Sequence, residues 1–363
     1  MLAARRVGGR MRRAPVIGFV SGAGDANLGD EIMLAALRGL LAGAVLEPID
    51  FPATEARLAR LGLSGPRVFS GLVLGGGTLI NPHFLPRVTS MGGSLPGWTL
   101  GTGVGSSGFG MAQSVPLDDW RDALRNFRAA WVRGPRSASI LQGLGVRRVE
   151  VVGDLALAAT PDTALARPRD RVLAINVGGR RAMAADDIDH QALHEELAAL
   201  LASPLAVEWR LVPFAMHRDD LPAVLDLAHR LPAGRCARPV LLRSMHEIDA
   251  MLAGVRAVVA MRLHGAVLAW TRGVPALLLG YREKCADFAE QLGVEDLLAS
   301  LDGSPGASVP AGLARLLDTS DERALRVHAD CLFARERLRR AGAEIVSTLL
   351  EISPKPAGVP VRT

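Results

Sequence analysis

The sequence predicts an α/β protein made of two halves of similar size, each a parallel sheet covered by helices. Three observations carry that prediction. Short β-branched runs end in Gly-rich or polar turns that lead into helical stretches, and continuous apolar strands alternating with helices belong to sheets buried on both faces. The pattern breaks at a polar, Pro-containing stretch near residues 160–171 (TPDTALARPRDR) and then restarts. The chain has 363 residues, 49% hydrophobic and 22% charged, enough for two domains with separate cores.

Taken in order, residues 1–14 form a basic arm carrying Arg5, Arg6, Arg10, Arg12 and Arg13. Residues 15–160 form the first domain. Its strands are Val16–Val20, Val68–Leu74, Trp98–Leu100, Ala129–Val132 and Val149–Val152, with an amphipathic helix from about Asp30 to Leu41. Residues 161–171 are the linker. Residues 172–318 form the second domain, with strands at Val172–Val177, Glu208–Pro213, Val240–Leu242, Ala257–Ala260 and Ala276–Leu279. Its helices are Gln191–Leu201, His246–Ala253 and Gly265–Thr271. Residues 319–363 are a helical segment and tail, with Ser320–Ile352 expected to pack back across the domain junction.

Composition removes several classes. No apolar run reaches the about 18 residues that span a bilayer, and the opening MLAARRVGGRMRRAP lacks the apolar core of a signal peptide. Cys236, Cys285 and Cys331 are widely spaced, with no CxxC pair, which argues against a zinc site and for a reducing, cytoplasmic setting. No metal is expected. His190 and His194 lie four apart, but without an HExxH pattern or matching acid. Aromatic residues are 4%, with one tyrosine, so stacking platforms for nucleic acid are scarce. The formal charge of +5 instead suits phosphorylated small molecules or an anionic membrane face. Of the 42 basic residues only Lys284 and Lys355 are lysines, so a lysine in a site loop stands out. Its ammonium is a compact charge able to donate a proton, whereas arginine stays protonated.

Ligands of parallel sheets bind beyond the carboxyl ends of the strands, and there the informative residues fall. After the first strand comes Gly22-Ala23-Gly24-Asp25-Ala26-Asn27-Leu28-Gly29-Asp30-Glu31. It is not GxGxxG, and its acids would repel a pyrophosphate. Asn27 suits sugar hydroxyls, while Asp30 is either a helix N-cap or a functional acid. Gly75-Gly76-Gly77-Thr78-Leu79-Ile80-Asn81 follows the second strand and either admits a ligand close to the backbone or serves as a packing turn. Gly101-x-Gly-x-Gly is a similar loop, and Arg133 ends a further strand. In the second half, Arg262-Leu263-His264 ends a strand just before a helix. The arginine can fork onto phosphate or carboxylate and the histidine can move a proton. Tyr281-x-x-Lys284 closes the next strand, and His217, Asp219 and Asp220 follow the 208–213 strand onto the same rim. Neither a GxSxG elbow nor a GxxxxGK[ST] loop is present.

In their order these segments resemble the polysaccharide pyruvyl transferase family. The matching pieces are Asn27 to Glu31, Gly75-Gly76-Gly77-Thr78, Gly101-x-Gly-x-Gly, Arg133 with Ser137 and Leu141, and Gly153-Asp154. Arg262-Leu263-His264, Gly273-Val274-Pro275 and Tyr281-x-x-Lys284 complete them, over about residues 15–295. Three positions depart from the family pattern: Ser106 where a proline often stands, Gly134 in place of an acid, and Met261 in place of a small polar residue. The resemblance implies two Rossmann-like domains facing a cleft, GT-B-like. It also implies transfer of pyruvate from phosphoenolpyruvate onto two hydroxyls of a sugar or lipid-linked saccharide, without a cofactor. On that basis His264 is expected as general acid/base, with Asp30 and Glu31 as catalytic carboxylates. The donor ligands are Arg262, Leu263, Lys284, Arg133, Gly76 and Gly77, and the acceptor contacts are Asp25, Asn27 and Asn81. The basic arm would touch a membrane face or stay solvated. A nucleotide-sugar glycosyltransferase and a non-catalytic sugar- or phosphate-binding homologue are the alternatives.

Overall fold

The computed structural model describes residues 4–7, 10–22, 27–50, 54, 56–57, 60–61, 69–91, 95–105, 117–179, 188–301 and 306–352, the first eight of them, through residue 13, as backbone only. Two six-stranded parallel sheets organise it. The first contains β3 (Val16–Val20), β4 (Val45–Pro48), β5 (Gly71–Gly75), β6 (Gly97–Thr102), β7 (Phe127–Val132) and β8 (Val149–Val151). Its order is β4-β3-β5-β6-β7-β8. The second contains β9 (Val172–Asn176), β10 (Arg210–Ala215), β11 (Val240–Leu241), β12 (Ala257–Ala260), β13 (Ala276–Gly280) and β14 (Leu298–Ser300), in the order β11-β10-β9-β12-β13-β14. Ahead of both, β1 (Ala4–Val7) and β2 (Arg10–Arg13) pair antiparallel, so part of the expected basic arm is a hairpin.

Helices cover both sheets. Those of the first half are α1 (Leu28–Leu40), α2 (Leu85–Thr89), α3 (Asp118–Ala123) and α4 (Pro135–Gly143). The second half has α5 (His190–Ala202), α6 (Leu221–Arg230), α7 (Met245–Ala253), α8 (Leu263–Thr271), α9 (Glu283–Leu292) and α10 (Val309–Leu317). A final helix, α11, runs over Asp321–Ile352. The strands are apolar because both faces are covered: β5, β9 and β13 are buried at every position.

The strand orders fix where function can sit. In the second sheet the order reverses between β9 and β12, and in the first between β3 and β5. Such switch points leave a crevice beyond the carboxyl ends. The turn after β12 carries Arg262 and leads into α8, whose first residues are Leu263 and His264, and the loop after β3 leads to Asn27 and Asp30. The two sequence-predicted constellations therefore occupy the two switch points. They meet directly: Gly29 packs against the His264 ring, and beside it the Leu28 N–H donates to the Met216 carbonyl beyond β10 at 3.2 Å.

The last helix straps the two halves together. At 32 residues and about 1.5 Å per residue, it is about 48 Å long. Its Leu349 packs at Gly71 of β5, Gly342 lies against the Leu40 backbone of α1, and His328 Nδ1 is 2.9 Å from the Thr271 carbonyl at the end of α8. Arg335 donates to the Thr160 carbonyl and Arg148 forms a two-point pair with Glu344.

Candidate active site at the domain junction

Helix α1 starts with Asn27, whose Oδ1 accepts the Gly29 N–H at 3.1 Å. Asn27, not Asp30, is thus the N-cap, with its carbonyl oxygen engaged in that bond. Asp30 stands at the third helical position, with the other half within its electrostatic reach. Three positive or protonatable groups of the other half lie within electrostatic reach of it: His264, Lys284 and Arg262. Burial pushes the Asp30 carboxyl up from its ordinary value, against the opposing pull of those three groups. Glu31, one position on, is exposed. Asp25 lies outside the described residues.

His264 belongs to the second half but is held by the first. A Cβ placed on Gly29 would lie 2.1 Å from its Nδ1, so only glycine admits the ring. On the other edge, Nε2 is 3.7 Å from Oδ1 of Asp154, a carboxylate with 0% exposure at the end of β8. That distance is an ion-pair contact and longer than a hydrogen bond. Asp154 Oδ1 also accepts the Ala156 N–H at 2.9 Å, capping the 3₁₀ turn Leu155–Ala159. Burial raises the Asp154 carboxyl, but the facing imidazole, the Arg133 guanidinium and the Ala156 N–H hold it below the ordinary carboxylate range. The sequence places Gly153-Asp154 within the family resemblance without a role; the strand-end Gly-Asp pair was the available signal.

Arg262 is clamped. Its Nε and Nη2 donate to the two oxygens of fully buried Asp220, at 2.9 and 2.8 Å, and its backbone N–H donates to Asn176 Oδ1 at 2.9 Å. Asp220 also accepts the Gly179 N–H at 3.0 Å. The acid expected on the rim is therefore the orienting partner of the arginine. Its neighbour His217 accepts the Asp219 N–H through Nδ1. The fork uses two of five guanidinium donors and leaves the others available. Leu263 is the first residue of α8, with a buried side chain, so only its backbone can serve a ligand. First-turn N–H groups lack intrahelical partners and attract anions. Lys284 is half-buried, its ammonium 4.9 Å from the centre of the Tyr281 ring, and among the described residues no carboxylate lies within 4 Å of it.

Several expected ligands are structural instead. Gly76 and Gly77 adopt φ of +72° and +66°. The Gly76 N–H donates to the Leu100 carbonyl and the Gly77 N–H to the sulfur of Met33, so the triple glycine is a packed turn and not a donor cradle. Asn81 is buried, with its amide donating to the Thr78 carbonyl and its oxygen accepting from His83 and Phe84 N–H groups. It holds its loop together rather than meeting an acceptor. Arg133, at 1% exposure, sits behind the seam: Nε is 3.6 Å from Asp287 of α9, Nη1 is 3.4 Å from Thr78 Oγ1, and Nη2 lies over Gly103. Asp287 also caps α4, accepting the Arg136 N–H at 2.9 Å and the Ser137 hydroxyl at 2.7 Å. A Cβ at 134 would meet the Asp287 carbonyl oxygen at 2.3 Å, which explains Gly134 where an acid is usual. The His194 ring pairs with Asp226 at 2.7 Å, and among the described residues no three His, Cys, Asp or Glu side chains gather to hold a metal. Nor is any described helix long and apolar enough to cross a membrane.

Two Rossmann-like domains with a cationic, histidine-bearing rim docked on an acid-bearing helix start define a fold of the GT-B kind. The model of the polysaccharide pyruvyl transferase family matches residues 27–283, and the chain belongs to that family. The amylovoran biosynthesis protein AmsJ of Erwinia amylovora is 25% identical over 136 residues. That match covers 37% of this chain and 32% of AmsJ, so the chain matches about a third of that relative's length. Among solved structures, S. aureus MnaA with UDP aligns at a TM-score of 0.58 and 14% identity, covering 95% of this chain and 99% of that one. The UDP-GlcNAc 2-epimerase of Neisseria meningitidis, bound to UDP-GlcNAc, aligns at 0.54 and 10%, covering 93% and 99%. These similarities establish the fold.

Proposed function

We propose that the chain transfers the pyruvyl group of phosphoenolpyruvate onto two hydroxyls of one sugar, forming a cyclic ketal and releasing phosphate. The acceptor is a free or lipid-linked saccharide of polysaccharide assembly, met at the cytoplasmic side of the membrane. One observation carries this reading: His264 of one domain packs against Gly29 at the start of α1 in the other, where it, Lys284 and Arg262 all act electrostatically on Asp30.

The donor carries a phosphate and a carboxylate. Lys284, the unused donors of Arg262 and the first N–H groups of α8 supply the positive field for both. His264, as imidazolium, gives a proton to the methylene carbon, which becomes the methyl group, and positive charge develops at the central carbon. An acceptor hydroxyl attacks that carbon while Asp30 takes its proton, an exchange favoured by a carboxyl whose burial raises its basicity. The C–O bond to phosphate then breaks, its electron pair leaving with the phosphate, and the second hydroxyl adds to the same carbon to close the ketal, its proton passing to the now neutral His264 imidazole. Lys284 and Arg262 offset the charge gathering on the departing phosphate. Asn27 keeps an amide to offer the sugar. No step calls on a cofactor.

The test is phosphate release from phosphoenolpyruvate with a panel of sugar acceptors, alongside UDP-sugars in its place. Turnover is expected only with phosphoenolpyruvate. His264→Ala should lower kcat by about 10²–10⁴-fold, and Lys284→Ala should act mainly on KM for the donor. Turnover with UDP-sugars alone, or wild-type rates in both variants, would overturn the assignment.

A further inference from the structure

His264 acts from one domain, yet both edges of its ring are bounded by the other. Any side chain at Gly29 would collide with the Nδ1 edge, and Asp154 stands on the Nε2 side. The carboxylate is itself fixed. It is fully buried, its Oδ1 is tied to the Ala156 N–H, and its Oδ2 has no hydrogen-bond partner among the described residues. Nε2 of His264 likewise has none. An anchored carboxylate with spare acceptor capacity, next to an imidazole nitrogen with nothing else to bond, is the arrangement that selects a tautomer and an orientation.

We infer that Asp154 is the positioning residue of His264. Its carboxylate keeps one proton on Nε2, so that the proton the imidazolium gives up leaves from Nδ1, on the side that Gly29 keeps clear of a side chain, and it sets the ring angle when the domains dock. Arg133 supports this from behind. It helps keep Asp154 ionised, and with Nε and Nη2 lacking hydrogen-bond partners it leaves that carboxylate unshared by any strong ion pair. The small gap from 3.7 Å to hydrogen-bond length closes when the ring swings toward Oδ1 as donor binds. The general acid is therefore assembled from both domains and exists only where they meet. The role in catalysis rests on the pyruvyl-transfer reading; the orientation of the ring does not.

The deciding variant is Asp154→Asn, which keeps an oxygen to cap Ala156 but loses the charge. With ¹⁵N-histidine labelling, the ring nitrogens of His264, identified by their loss in His264→Gln, should move in Asp154→Asn. Unchanged ring signals would overturn the inference whatever the reaction proves to be. In turnover with phosphoenolpyruvate, kcat should fall about 100-fold with KM for the donor nearly unchanged. The same substitution in a His264→Gln background should add no further loss. An equal further loss there would show a structural role and sink the proposal. Asp154→Glu, which restores the charge at a shifted position, should recover part of kcat and serves where Asp154→Asn folds poorly. Failure of pyruvyl transfer itself would appear as no turnover by the wild type, with the ring signals still reporting on Asp154.

Discussion

At Asp30 two effects oppose each other on one carboxyl: burial favours the protonated form, and three positive or protonatable neighbours favour the charged one. Burial wins, so the folded chain holds this proton more tightly than the unfolded chain does. The stability Asp30 contributes is then complete below the ordinary carboxylate range and is lost as pH rises through its elevated folded value. An ionised Asp30 carboxylate is thus a cost to the folded state. Asp30→Asn should therefore keep or raise thermal stability at pH 7, by about 0.5–2 kcal/mol, while abolishing turnover. Melting curves at pH 7 and near pH 4 test the sign: the advantage of the variant should shrink at the lower pH. Asp154 runs the opposite way. Its depressed folded value contributes stability above the ordinary carboxylate range, lost as pH falls through it.

At the scale of single elements, the first turn of α1 shows what sequence alone reveals. NLGDE was legible as a helix start, and Arg262-Leu263-His264 as the turn from a strand into a helix. The cap assignment was legible only to within a turn, because Asn27 and Asp30 are both good cap residues and local propensity does not choose between them. What Gly29 does was not legible, since its role is defined by an imidazole 235 positions away in the chain. Gly29→Ala should favour the helix by about 1 kcal/mol yet cost about 100-fold in kcat, because the added carbon occupies the place of His264 Nδ1. Circular dichroism and turnover on the same preparation check both halves of that statement. Asn81 and Gly76-Gly77 show the converse: a polar residue or a glycine run after a strand reads like a ligand loop until its own partners are known.

Across the whole molecule, the two sheets were readable from strand-and-turn rhythm, and so was a terminal helix crossing the junction. Short strands such as β4 and β14 were not, because three or four residues carry no period of their own. The seam was also invisible, as it joins residues distant in sequence. There Asp287, at 2% exposure, pairs with Arg133 and caps α4, while Arg136 reaches Glu290 through Nε at 2.8 Å. Removing one partner of a buried pair strands the other. Asp287→Ala should cost about 3–5 kcal/mol and loosen the docking of the halves, seen as a lower melting temperature and a larger radius of gyration in solution scattering. An unchanged radius with lowered stability would show that the pair serves local packing only.

The polypeptide crosses the waist of the molecule twice, once through residues 161–171 and again where α11 returns over α8, α1 and β5. Two tethers at one waist turn any gaping of the halves into a pivot and rule out sliding. They also make the carboxyl-terminal half a poor unit for recombination, since exchanging it between relatives would import a foreign helix onto the partner lobe's own strands.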